Sequence, residues 1–269
     1  MSFGISGKTA VVTGAANGVG LAIARHFADR DANVVFADMD ERKLEAELGT
    51  NLPEDGNIRA FAGDLREKLT IANLLSFTID AFDRVDILVN GSRQVRTADP
   101  LNPDDDAVQE LLNQNLMTSL RLSQLFARRM IKQAEQAGDD SAPAGSIINL
   151  SSVAARRTQP ELLAYSVSSA ALEQMTRSLA VVLAPHRIRV NAVALGSVMS
   201  ASLQGAIKDH GDYRTEIIDR TPLGRIASAS EVAEAAQFLA SDGAQFMTGQ
   251  ILTVDGGRTL VDAVNAPAH

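Results

Sequence analysis
Short apolar runs recur along the 269-residue chain, separated by longer stretches in which apolar residues return every three or four positions. The short runs fall at 9–12, 33–37, 58–63, 85–89, 146–150, 188–193 and 250–254. Most are nearly continuous in apolar residues and rich in Val and Ile, as in strands buried on both faces. The longer stretches, at 21–28, from about 40, and at 67–82, 104–137, 162–183 and 231–239, have helical spacing. Strand and helix alternate across the full length, which predicts an α/β fold with one doubly wound parallel sheet of about seven strands and helices on both faces. Residues 138–145 are polar and rich in turn formers and read as a surface loop. Residues 196–226 have mixed polarity without clear periodicity, and 261–269 read as a loose tail. No repeat or linker divides the chain, so a single domain spanning 1–269 is expected.

The first strand runs into Thr13-Gly14-Ala15-Ala16-Asn17-Gly18-Val19-Gly20, and a helix follows. A helix amino end offers unpaired N–H groups and a positive dipole, which suits a pyrophosphate. Gly14 permits the tight turn, Gly18 lets backbone approach phosphate, and Gly20 lets the helix pack close to the strand. Glycines also occur in such turns for steric reasons alone. The second strand ends at Asp38, about 20 residues on, where a dinucleotide fold places an acid on the adenosine ribose. A carboxylate there accepts hydrogen bonds from both ribose hydroxyls and repels a 2′-phosphate, so NAD(H) is favoured over NADP(H). The alternative is that Asp38 caps the helix beginning near Asp40.

Composition narrows the function classes. Hydrophobic residues make up 45% of the chain, enough for a sizeable core, but no run reaches the roughly 20 residues of a membrane span. The amino terminus lacks the pattern of a signal peptide. There are no cysteines, which excludes disulfides and thiolate chemistry and fits a cytoplasmic location. A net charge of -8 argues against nucleic acid or an anionic membrane as partner. The four histidines are scattered without metal-ligand spacing, so no metal is expected.

Together, Thr13-Gly14-x-x-x-Gly18-x-Gly20, Asp38, Asp64, Asn90, Asn115, Ser152, Tyr165, Asn191, Gly196 and Asp255-Gly256-Gly257 resemble the classical short-chain dehydrogenase/reductase family over nearly the whole chain. The resemblance implies a Rossmann-type domain, usually tetrameric, that moves hydride between a nicotinamide and an alcohol or carbonyl. It implies a homotetramer or dimer packed through helices near 104–137 and 162–183, and a substrate lid at 196–226. It also implies roles by position. Gly14, Asn17, Gly18, Val19, Gly20, Asp38, Asp64, Leu65, Asn90 and Gly91 would border the cofactor, Asp64 at the adenine amino group and Asn90 on the adenosine side. Val198 would meet the carboxamide and Ser200 would sit near the nicotinamide and phosphates. Ser152 would hold the substrate oxygen, Tyr165 would exchange its proton, and Asn115 would support a water chain.

The chain departs from the family pattern in more than one place. Tyr-x-x-x-Lys reads Tyr165-Ser166-Val167-Ser168-Ser169 here. Residues four apart share a helical face, so a lysine at 169 would lie beside the phenol. A free phenol titrates near pH ~10 and a nearby cation lowers this by about 1–3 units, a charge that Ser169 does not supply. The family's Asn-Asn-Ala-Gly is Asn90-Gly91-Ser92-Arg93. Arg93 opens toward the expected active-site side and could replace part of the missing charge; alternatively it is solvated or paired with Asp99. Arg156 and Arg157, four and five residues after Ser152, could recognise an anionic substrate, or make ion pairs, with Glu161 as a local partner. Two functions follow: an NAD(H)-dependent oxidoreductase interconverting a secondary alcohol and a ketone through an atypical proton relay, or a non-catalytic NAD-binding scaffold or partner subunit of a mixed oligomer.

Overall fold
A computed structural model describes residues 3–139 and 141–262. Seven parallel strands form one sheet in the order β3-β2-β1-β4-β5-β6-β7. They are β1 (Thr9–Thr13), β2 (Asn33–Asp38), β3 (Ile58–Ala62), β4 (Ile87–Asn90), β5 (Gly145–Ser152), β6 (Ile188–Leu195) and β7 (Ile251–Val254). The helices between them include α1 (Gly18–Ala28), α2 (Glu41–Leu48) and α3 (Lys68–Phe82). Next come α4 (Ala107–Leu111), α5 (Thr118–Ala137), α6 (Leu163–Leu183), α7 (Ala201–Asp209), α8 (Tyr213–Asp219) and α9 (Ala229–Ala240).

Successive strand residues feed opposite helical layers, as the period of two requires. Val12, Val34, Phe36 and Val89 pack with Ile23 and Phe27 of α1 and with Val232 and Leu239 of α9. Val11, Val35 and Leu88 pack with Leu74 of α3, Phe126 of α5 and Leu183 of α6. Fully burying one such Val, Leu, Ile or Phe contributes about 1.5–3 kcal/mol, which is why the apolar runs nearly coincide with the strands.

Three differences from the sequence reading have a physical reason. β4 begins at Ile87 rather than Val85, and the Asp86 carboxylate takes the Thr9 amide at 2.8 Å. The stretch 104–137 is not one helix: α4 and α5 are joined by a π-helical segment, Leu112–Met117. The stretch read as irregular, 196–226, contains the two helices α7 and α8, both too short to show a clear period. Of the tail expected at 261–269, residues 263–269 lie outside the described residues. Among the described residues no helix is long and apolar enough to cross a membrane.

Candidate active site
At the carboxyl ends of the central strands lies a cleft of about 400 Å³. Gly14, Asn17, Gly18, Val19 and Gly20 form one wall, Asp38 and Met39 one end, and Gly91, Ser92, Arg93 and Ser200 much of the rest. The turn tolerates no larger residue at two points. Gly14 has φ +71°, and a Cβ there would lie 2.7 Å from the Gly91 carbonyl oxygen. A Cβ on Gly20 would lie 2.0 Å from the Gly14 carbonyl oxygen, so α1 can close on the turn only with glycine. The α1 amino end has no side-chain cap from Asn17 and no acid in its first turn. Its N–H donors and positive dipole are therefore available to an anion.

Asp38 ends β2 with its carboxylate accepting the Ala16 amide at 3.0 Å and the Asp40 amide at 3.1 Å. The side chain that caps α2 is Asp40, which accepts from the Lys43 amide. Asp38 is thus held against the glycine turn. Asp64 and Leu65 do not line the cleft: Leu65 is in the core, and the Asp64 carboxylate is gripped by Arg66 through Nε and Nη2. That guanidinium holds the Asp64 carboxyl below its ordinary range. Asn90 is buried away from the cleft, donating to Ser123 Oγ at 3.0 Å and Asn149 Oδ1 at 2.8 Å. Val198 is buried and bridges to Ala227.

A second, much smaller void of about 10 Å³ adjoins the cleft. It is lined by Asn90, Asn115, Ser119, Tyr165 and Ser169, while Ser92, Arg93 and Leu150 border both spaces. The Asn90 Oδ1 is buried without a partner. Tyr165 and Ser169 sit one turn apart on α6, both buried. Ser152, at the end of β5, is buried and accepts the Ala154 amide.

Arg93 is half-buried at the cleft and is not paired with Asp99. Its Nη1 donates to the Tyr165 hydroxyl at 2.6 Å and to the Ser151 carbonyl at 3.3 Å. Both backbone flanks are tied down. Thr13 Oγ1 accepts the Gly91 and Ser92 amides at 3.1 Å each. Asn115 Oδ1 accepts the Gln94 amide at 2.8 Å, and Asn115 Nδ2 donates to the Gln94 carbonyl and to Ser168 Oγ. Both N–H donors of the Asn115 amide are therefore used within the protein. The π-helical segment carries Asn115, and no residue pattern marks it in the sequence.

Arg156 and Arg157 both make contacts within the chain. Arg156 pairs with Glu173 at 3.2 Å and donates to Thr253 Oγ1; Arg157 donates to the Thr259 carbonyl. Glu161, the partner expected from sequence, is not the one used. Glu173 is buried, also accepts from Ser151 Oγ, and lies 3.6 Å from Arg177. Thr13 and Glu173 were not readable as site supports, because their partners lie 78 and 17–22 residues away.

A glycine turn opening on a cleft at the carboxyl ends of a parallel sheet, with a tyrosine lining the void that adjoins it, describes an oxidoreductase built on a dinucleotide fold. The comparisons narrow the class. A family model described as enoyl-(acyl carrier protein) reductase matches residues 14–259. The cis-4-hydroxycyclohexanecarboxylate dehydrogenase of Sinomonas cyclohexanicum is 36% identical, covering 94% of this chain and 97% of that one. A gluconate 5-dehydrogenase from Burkholderia cenocepacia, solved with NADP and tartrate, superposes with a TM-score of 0.86 at 29% identity, covering 97% and 98%. A 7α-hydroxysteroid dehydrogenase solved with NADH and 7-oxo glycochenodeoxycholic acid superposes with a TM-score of 0.86 at 30% identity, covering 95% and 96%. The chain belongs to the short-chain dehydrogenase/reductase family. It is an oxidoreductase of that type, which acts on alcohol or carbonyl groups.

Proposed function
We propose that the protein interconverts a secondary alcohol and a ketone with NAD(H) in preference to NADP(H), through a proton relay that lacks the usual lysine. The observation that carries the cofactor choice is the Asp38 carboxylate, at the end of β2 and held against the glycine turn by the Ala16 amide. From there it would accept the ribose hydroxyls and repel a 2′-phosphate. The free N–H groups of the α1 amino end fit the pyrophosphate. Bound nicotinamide supplies the acceptor or donor of hydride. The chain's own part is to hold the substrate oxygen at Ser152 and to exchange its proton at Tyr165. Asp64, Leu65, Asn90, Val198 and Ser200 belong to this proposal as the remaining cofactor contacts. So does a homotetramer or dimer, for which the exposed Val167, Val181 and Val182 on α6 offer an apolar face. Ser169 alone favours the other reading, an NAD-binding scaffold without turnover.

The test is a fluorescence titration with NADH and NADPH, followed by turnover on a panel of secondary alcohols and ketones. NADH should bind more tightly. Asp38→Asn should narrow that preference about tenfold or more, the worth of a charge-assisted hydrogen bond. Tighter binding of NADPH by the parent protein would overturn the cofactor choice. Proven NADH binding without turnover on the panel would favour the scaffold.

A further inference from the structure
We propose that the Arg93 guanidinium is the cation of this relay, acting on Tyr165 from the cleft side in place of a lysine at position 169. The inference rests on the reading of Tyr165 as the proton-exchanging group. Arg93 Nη1 is 2.6 Å from the Tyr165 oxygen, and the hydroxyl accepts this bond. A hydroxyl that accepts from a cation is free to give its own proton to a carbonyl oxygen. In the opposite direction a phenolate at that oxygen takes the proton of the substrate alcohol, while the hydride leaves the same carbon for the nicotinamide. The phenolate is formed in reduction and consumed in oxidation, each time beside a fixed positive charge, and charge-assisted hydrogen bonds are roughly twice as strong as neutral ones.

Three further observations assign this role to Arg93. With the Arg93 side chain in place, the space beside Ser169 is about 10 Å³, room for one water and not for an alkylammonium. Arg93 and Tyr165 are the only titratable residues lining that void, and among the described residues no carboxylate lies in ion-pair range of Arg93. Its charge is therefore not neutralised by a neighbour. The loop that carries it is fixed from both sides, by Thr13 at residues 91 and 92 and by Asn115 at residue 94. Arg93 borders the large cleft as well as the void, and among the described residues only its Nη1 finds partners. Its other N–H donors remain for a ribose or substrate oxygen.

The experiment compares the parent, Arg93→Ala and the double variant Arg93→Ala with Ser169→Lys. Turnover is read on the best substrate of the panel, and phenolate formation by ultraviolet difference absorption. The chain has two tyrosines and no tryptophan, so in a Tyr213→Phe background the signal belongs to Tyr165. Arg93→Ala should lower kcat near neutral pH by about 10- to 1,000-fold, the phenolate fraction set by a neighbouring cation. It should also move phenolate formation to higher pH, and the added lysine should restore part of both. An unchanged phenolate titration in Arg93→Ala overturns the proposal. So does turnover equal to or faster than the parent's, which would make Arg93 a cover over Tyr165. If the parent turns nothing over, the functional reading fails, and the absorption titration still decides whether Arg93 acts on Tyr165.

Discussion

The Thr13 hydroxyl accepts the Gly91 amide at 3.1 Å and so joins the strand entering the glycine turn to the loop that carries Arg93. The same oxygen accepts the Ser92 amide and donates to the Val89 carbonyl. One buried side chain thus sets the spacing between the glycine turn and the candidate proton relay. Thr13→Val keeps the shape and removes the oxygen, leaving two amides short of an acceptor. The expected loss is about 1–3 kcal/mol of folding free energy, measured by urea denaturation. A loss no larger than that of an exposed Thr→Val change would show that the loop is held by other means.

A second prediction concerns Glu173, whose carboxylate is 5% exposed while Arg156 and Arg177 are 40% and 46% exposed. Removing the acid leaves two arginines able to turn to water. Removing Arg156 leaves a buried charge with one fewer partner. Arg156→Ala should therefore destabilise the protein more than Glu173→Gln, by roughly 1–2 kcal/mol, since the stranded group is the costly one. Denaturant midpoints of the two variants decide the order, and the reverse order would mean that Arg177 and Ser151 suffice for Glu173.

Acid should act first at the amino end of α9. There Glu231 accepts from Arg225 and from the Ser228 amide within a capping box, which lowers its carboxyl to about 2 from an ordinary 4.5. A depressed folded-state value means that the stabilisation is complete above about pH 4.5 and disappears as pH falls toward about 2. The side chain is exposed, so the effect is small. The difference in melting temperature between the parent and Glu231→Gln should hold steady above that window and close within it. A difference independent of pH would assign the stability to the cap's shape rather than to its charge.

The strands and the glycine turn were legible in the sequence for one reason: each is a local pattern. The runs at 33–37 and 188–193 are apolar because both faces are buried, and β2 and β6 begin at the predicted residues. Ser169 was visible as a missing charge, and Arg93 as one possible replacement. What could not be read was which of its alternatives Arg93 takes, because its partner Tyr165 is 72 residues away. The same holds for Arg156, which bypasses the nearby Glu161 for Glu173 on the buried face of α6. Contacts of this kind depend on how loops fold back over the sheet, and no spacing rule records that.

The π-helical turn at Leu112–Met117 has a consequence for insertions and deletions. Such a turn is one residue wider than an α-turn. Deleting a single residue within it would let α4 and α5 fuse into one regular helix and cost little in local hydrogen bonding. Because the wider turn already absorbs one residue, the flanking helices would keep their places and the change of angle would fall on the residues of the segment itself, Asn115 among them. Asn115 would then no longer face Gln94, and the arginine beside Gln94 would lose its carboxyl-side anchor. The reading frame of this helix, as much as the identity of any residue in it, sets where the guanidinium points.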